Sequence, residues 1–147
     1  MKSEFLSEIA KKYNQNIEYV AFDPCNGDLG RAYRSHDQIE KYRIYINSDE
    51  MLCSIQTLFI FFHELGHVVL DHLGFKLFSK NYPRDRIENE ADTWAYKKMG
   101  LIDSRGEISG KDMVCYNCIR GMNASCWLDP VVFNKKCPRG VTLKALK

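Results

Sequence analysis

The segment FFHELGHVVLDH, at residues 61–72, constrains the fold more than any other part of the sequence. Apolar residues flank HELGH on both sides, a pattern typical of a largely buried helix. On a helix, His63 and His67 lie on one face a turn apart, close enough to bind one metal ion. Glu64 lies at the same edge, and H-E-x-x-H is the arrangement in which two imidazoles bind Zn²⁺ while the carboxylate acts as general base. The segment therefore predicts a zinc site with Glu64 as its base.

The alternative is an apolar helix whose histidines are hydrogen-bonded and have no chemical role. Gly66 favours the metal site, because a glycine inside a helix costs about 1 kcal/mol relative to alanine. Its presence predicts that another backbone passes close to this point of the helix. His72 lies nine residues from His63 on the same helix, too far along the axis to share the metal. We expect His72 at the helix end, as a charge that complements the helix dipole.

A catalytic zinc site needs a third protein ligand and one open position. The remaining acidic candidates downstream are Asp71, Glu88, Glu90 and Asp92. Glu90 is favoured, because it lies 23 residues after His67 in a second predicted helix. Ala91 and Ala95 beside it are small enough to let the two helices approach. Glu88 and Asp92 are either partners of a ligand histidine or part of a solvated acidic face.

The rest of residues 1–100 alternates between helix and strand signals. An amphipathic helix is predicted at residues 3–15, with Ser3 as its cap and with Phe5, Ile9 and Tyr13 on one face. Residues 17–22 alternate like a strand, and residues 31–35 and 41–47 are typical of a hairpin. Further helices are predicted at residues 50–72, ending at Gly74, and at residues 83–99, ending at Gly100. These elements predict an α+β fold.

Composition separates the chain into two parts. Residues 1–110 hold 14 basic and 17 acidic residues, a net charge of −3, whereas residues 111–147 hold 7 and 2, a net charge of +5. No apolar run is long enough to cross a bilayer, and the first residues lack the charged-then-apolar pattern of a secretory leader. We therefore expect a cytoplasmic protein without a membrane segment.

Four of the six cysteines lie in the basic segment 111–147: Cys115, Cys118, Cys126 and Cys137. In a reducing cytoplasm, clustered cysteines more often bind metal than form disulfides. These four thiolates could form a closed structural zinc site, although the second pair lacks the C-x-x-C spacing of a zinc ribbon. The alternative is free thiols in a segment that packs on the main domain. Cys25 and Cys53 are expected to be buried thiols.

HELGH followed by ENEADTWA resembles the ImmA/IrrE family of small zincin metallopeptidases, over roughly residues 1–100. The resemblance implies a small zincin-like domain at residues 1–104, with an active-site helix, a glutamate helix and a short sheet. It implies His63, His67 and Glu90 as ligands of a catalytic Zn²⁺ and Glu64 as general base. One departure is visible: the family usually has a histidine at position 71, where this chain has Asp71. The Cys-rich segment 111–147 is an addition to the family pattern.

The resemblance also implies a function: a zinc-dependent endopeptidase that cleaves a DNA-binding repressor of the helix-turn-helix type and so regulates transcription, often on mobile elements. Two alternatives remain. One is a SprT-like protease that reaches DNA-bound proteins through the basic segment, although nucleic-acid binding is not favoured and the SprT third ligand is normally histidine. The other is a zincin scaffold that binds or senses a partner without turnover.

Two features of substrate binding follow from the zincin resemblance. A strand at the sheet edge can bind an extended peptide by strand addition. Residues 43–47 are either such an edge strand or a plain core strand. A peptidase also needs a donor for the oxyanion. Tyr33, His36, Tyr45 and Tyr82 are the candidates.

Overall fold

The computed structural model describes residues 2–35, 40–48, 54–74 and 80–101. The described part contains three helices and three strands: α1 (Ser3–Tyr13), β1 (Ile17–Asp23), β2 (Gly30–Arg34), β3 (Tyr42–Asn47), α2 (Ser54–Val69) and α3 (Arg84–Lys98). The predicted α+β class is confirmed. The described residues do not include segment 111–147 with its four cysteines, nor Cys53 and His36. The boundary of that segment, its zinc site and the roles expected of Cys53 and His36 therefore remain predictions.

The sheet has the order β1-β3-β2. β3 pairs with β1 in parallel and with β2 in antiparallel orientation, which confirms the predicted hairpin. β3 is therefore the central strand of the described sheet, and the expectation that residues 43–47 form an open edge is wrong. The edge strand on the side of the hairpin is β2.

Alternation along β3 separates the two faces of the sheet. Tyr42, Ile44 and Ile46 are buried in the core, whereas Arg43 and Tyr45 lie on the opposite face. Since successive side chains of a strand point to opposite faces, the helices cover one face of the sheet.

Helix α1 buries a different face from the one expected. Leu6, Ile9 and Ala10 are buried, at the i, i+3, i+4 spacing of one helical stripe. Phe5 and Tyr13 are 43% and 39% exposed. The helix begins at Ser3 itself, so this residue lies inside the first turn and does not cap it.

Helix α2 forms the centre of the core and packs against α3. Phe61, Phe62 and Leu65 are fully buried. A Cβ atom on Gly66 would lie 3.3 Å from Cε3 of Trp94 and 3.5 Å from the backbone of Ala91. The backbone of α3 therefore passes close to Gly66, as the sequence predicts.

Helix α2 ends earlier than predicted, and Asp71 supplies the left-handed residue expected at Gly74. Asp71 has φ +59°. Its N–H donates to the carbonyl of Val68, and the N–H of His72 donates to the carbonyl of His67. These two bonds define a Schellman motif, in which the side chain that follows the left-handed residue packs back on the last turn of the helix. His72 is thereby directed towards His67.

Among the described residues, no helix combines the length and the apolarity that crossing a membrane requires.

Candidate metal centre

Three side chains from α2 and α3 converge at one point. His63, His67 and Glu88 each offer one ligand atom, and these atoms lie within 4.8 Å of one another. Nε2 of His63 is 3.0 Å from Nε2 of His67, and Oε2 of Glu88 is 3.0 Å from Nε2 of His63. Nε2 of His67 is 3.5 Å from the other oxygen of Glu88.

These separations match the needs of a zinc ion. A tetrahedral Zn²⁺ with bonds of about 2.0–2.1 Å holds its ligand atoms roughly 3.3 Å apart. The three measured separations lie on either side of this value. Two imidazoles and one carboxylate also form a donor set that catalytic zinc sites use, with a fourth position left for water or substrate. The residues therefore fit a zinc ion.

Asp92 fixes the orientation of His63. Oδ1 of Asp92 is 2.7 Å from Nδ1 of His63, so Nε2 faces the other two ligand groups. Burial alone would lower the pKa of His63, but the hydrogen bonds to Asp92 and Glu88 outweigh it and raise this pKa to about 10. The hydrogen bonds from His63 and His67 hold the pKa of Glu88 well below its usual range. Protonated His63 donates one hydrogen bond from Nδ1 to Asp92 and one from Nε2 to Glu88.

Metal binding should therefore release a proton. At pH 8, below the pKa of about 10, His63 is protonated, and it must become neutral to bind a metal. We expect release of about one proton per zinc at pH 8, and a metal affinity that falls as the pH is lowered. Calorimetric titrations with zinc in buffers of different ionisation enthalpy measure this number in a chain that carries Cys115→Ser and Cys118→Ser, because cysteine thiols that bind zinc also release protons. Release near zero would contradict the protonation of His63.

Glu64 is enclosed next to the ligand group. It is 8% exposed, and its burial raises its pKa although His63 and His67 act in the opposite direction. A raised pKa brings a carboxylate closer to the range in which it exchanges protons at neutral pH. The edge strand β2 closes over it: a Cβ atom on Gly30 would lie 3.0 Å from Cγ of Glu64 and 2.6 Å from Cγ2 of Ile60.

The space at position 30 therefore admits only glycine. We expect Gly30→Ala to destabilise the fold by about 1–3 kcal/mol, because the added methyl group overlaps a packed side chain. The same methyl group should displace Glu64 and lower activity beyond the loss of folded protein. Denaturant unfolding together with activity per folded molecule checks both effects. Gly27→Ala serves as the comparison for backbone strain without overlap, since φ is +91° there and nothing lies within 4 Å of a Cβ atom.

Glu90 does not lie with His63 and His67, and Glu88 lies at the point where the sequence predicts Glu90; the ligand set itself remains a prediction. Successive residues of a helix are rotated by about 100°, so Glu90 points about 200° away from Glu88. Its carboxylate accepts a hydrogen bond from the hydroxyl of Tyr82, and its Oε1 lies 3.6 Å from Nε2 of His72. The structure therefore places Glu90 behind the metal centre.

His72 is closer to the centre than expected. Its side chain is 1% exposed, and its Nδ1 is 2.9 Å from Nδ1 of His67. When His67 binds a metal through Nε2, its Nδ1 carries the proton and donates it in a hydrogen bond to His72. With a metal bound there, His72 would orient His67 as Asp92 orients His63. The expectation of a simple helix-end charge is wrong for His72.

The centre opens into a cavity of about 1270 Å³ between β2, α2 and α3. The described residues that line this cavity do not include the oxyanion candidates Tyr33, Tyr45 and Tyr82. Tyr45 instead shares a hydrogen bond with Tyr19, and Tyr33 accepts one from Arg31. The polar residues at the cavity wall that the sequence does not indicate are Asp28, Arg84, Asn89, Thr93 and Tyr96.

Comparison with known proteins gives one finding. The family model described as the IrrE N-terminal-like domain, of the peptidase M78 type, matches residues 10–99. This range contains every residue of the metal centre. Neither a curated protein nor a solved structure matches the chain.

Proposed function

The chain belongs to the IrrE N-terminal-like domain family of metallopeptidases, and we propose on this basis that it is a zinc-dependent endopeptidase that cleaves a protein substrate. The observation that carries the proposal is the convergence of His63, His67 and Glu88 beside the buried carboxylate of Glu64. A carboxylate beside the three ligand groups is what activation of a water molecule requires.

Each residue has a distinct task in the proposed reaction. His63, His67 and Glu88 would hold the zinc ion, which as a Lewis acid polarises the scissile carbonyl and lowers the pKa of water. Glu64 takes the proton of the attacking water and passes it to the departing amine. Its burial keeps the proton within the site between these two steps.

Substrate binding is proposed to use β2 in place of residues 43–47. A segment of substrate that pairs with the outer edge of β2 would pass the cavity at Gly30, next to Glu64. Backbone hydrogen bonds to an edge strand give affinity without dictating sequence, which suits a protein substrate in an extended conformation.

The proposed substrate is a DNA-binding repressor of the helix-turn-helix type, and the proposed compartment is the cytoplasm. The support for the repressor is the likeness of HELGH and ENEADTWA to the ImmA/IrrE pattern.

The test is incubation of the zinc-loaded protein with the repressor encoded beside its gene, followed by mass spectrometry of the products. We expect a single internal cleavage that a zinc chelator prevents. An intact repressor under these conditions would refute this substrate.

A further inference from the structure

The outer face of the edge strand carries charged and aromatic side chains. Gly30 and Ala32 line the cavity of the metal centre. Arg31 and Tyr33 alternate with them along β2 and so lie on the other face of the sheet. Nη1 of Arg31 donates a hydrogen bond to the hydroxyl of Tyr33, 3.1 Å away, which holds the guanidinium along the strand.

The central strand continues this surface. Arg43 lies opposite Tyr33, and Tyr45 lies opposite Arg31. The rings of Tyr33 and Tyr45 contact each other edge to face, with centroids 5.5 Å apart. The result is a surface of alternating arginines and tyrosines on the side of the sheet that faces away from the core.

A groove of about 540 Å³ runs over this surface, and we call it the outer groove. Its charged lining residues are four cations and one acid: Arg31, Arg34, Lys41, Arg43 and Asp23. The lining itself thus carries more cations than acids, and its three arginines are paired with acids that lie outside it.

Each of the three arginines has an acidic partner outside the lining, and that of Arg34 is Glu40. Arg31 pairs with Asp28 at 3.0 Å, and the Asp28 side chain is 63% exposed. Arg43 pairs with Glu18 at 3.6 Å. Exposed ion pairs of this kind are weak because solvent screens them, and a guanidinium has five N–H donors. An incoming carboxylate can therefore add to these pairs or replace them.

The outer groove and the cavity of the metal centre lie on opposite faces of β2. A segment that pairs with β2 has side chains that alternate between the two faces of the sheet. One set meets the metal centre, on the side of Gly30 and Ala32. The other set lies beside Arg31 and Tyr33, where directly opposite side chains have Cβ atoms about 4.5–5.5 Å apart.

We propose that the outer groove selects protein segments that carry acidic side chains at alternate positions, those that point away from the metal centre when the segment pairs with β2. This inference rests on the proposed function, because it describes how a substrate of that site is chosen. It assigns Arg31 and Arg43 as specificity-determining residues rather than as residues of the reaction.

Binding to the zinc-loaded Glu64→Gln protein tests the proposal without turnover. Three peptides of equal length carry glutamate, glutamine or lysine at alternate positions, and fluorescence anisotropy gives their affinities. At low salt, we expect the glutamate peptide to bind about tenfold more tightly than the glutamine peptide and the lysine peptide to bind least well. The preference should shrink as salt is raised, since exposed charges are screened.

Two matched double variants test whether the arginines of the outer groove cause the preference for the glutamate peptide. Arg31→Gln with Arg43→Gln should abolish the preference, whereas Lys11→Gln with Lys12→Gln, the same loss of charge on α1, should keep it. If the first pair impairs folding, Arg31→Gln alone still tests the groove, because Arg31 lies on β2 itself and its loss should reduce the preference.

Equal binding of the three peptides, or a preference that survives loss of both arginines, would overturn the proposal. Failure of the proposed function is recognised separately, by the absence of hydrolysis when wild-type protein is given the same peptides and a repressor substrate.

Discussion

Replacement of Glu64 by glutamine should lower the rate of peptide hydrolysis by roughly 10²–10⁴-fold, the usual contribution of a general base. The amide has nearly the same shape as the carboxylate, but it cannot accept the proton of the attacking water. Glu64 lies outside the group of three ligand atoms, so zinc affinity should change little. Initial rates of substrate cleavage, together with metal content by mass spectrometry, measure both quantities on one preparation.

Glu8→Gln is the matched control, since it makes the same chemical change at an exposed position of α1 and should leave the rate unchanged. If the Glu64→Gln protein inactivates its partner as well as wild type does, the peptidase interpretation fails. A zincin scaffold that acts by binding would then be the better account.

The second large effect concerns the third ligand. We expect Glu88→Ala to weaken zinc binding by more than about 100-fold, because it removes a carboxylate that lies 3.0 Å from His63 Nε2. Glu90→Ala should weaken zinc binding about 10–100-fold or less, the range found for residues that orient ligands. Competition with a chromophoric chelator gives these affinities.

The measurement is best made in a chain that carries Cys115→Ser and Cys118→Ser, so that a zinc ion bound by the predicted four-cysteine site does not contribute. Comparison with the parent chain then counts the zinc ions that the cysteines add. Glu4→Ala, at an exposed position of α1, is the control for loss of a carboxylate. A larger effect of Glu90→Ala than of Glu88→Ala would restore the ligand set expected from the sequence.

The sequence indicates Glu90 because ENEAD presents three acids at alternate positions, and sequence alone does not give the rotation of α3 about its axis. Ile87, Ala91 and Ala95 are buried and define the face that packs in the interior. Glu88 and Asp92 lie on one side of this face, and Glu90 lies on the other. The i, i+4 spacing of Glu88 and Asp92 is the signal that could have identified a ligand and the partner that orients His63.

His72 illustrates a second limit. On a continuous helix, His72 would lie too far from His63 to be a neighbour of the metal. The sequence therefore does not indicate it. The chain instead leaves the helix at Asp71 in a left-handed conformation, which non-glycine residues adopt only uncommonly. The turn directs His72 back against His67. A local turn that propensities do not indicate therefore decides which residues surround the centre.

The features that follow from regular periodicity were predictable. HELGH lies on α2, the alternation of residues 42–47 gives the buried face of β3, and Gly66 marks the close approach of α3. The sheet order was not predictable, because pairing of β1 with β3 depends on contacts between distant parts of the chain. This order makes β2 the edge strand and moves the proposed substrate path next to Gly30 and Glu64.

The central claim is that His63, His67 and Glu88 together hold one metal ion. A crystal structure of the zinc-loaded protein, with anomalous data collected at the zinc edge, tests it most directly. We predict an anomalous peak bonded to Nε2 of His63, Nε2 of His67 and a carboxylate oxygen of Glu88, at about 2.0–2.2 Å from each. The absence of a peak at this position, or a peak bonded to Glu90 in place of Glu88, would contradict the claim.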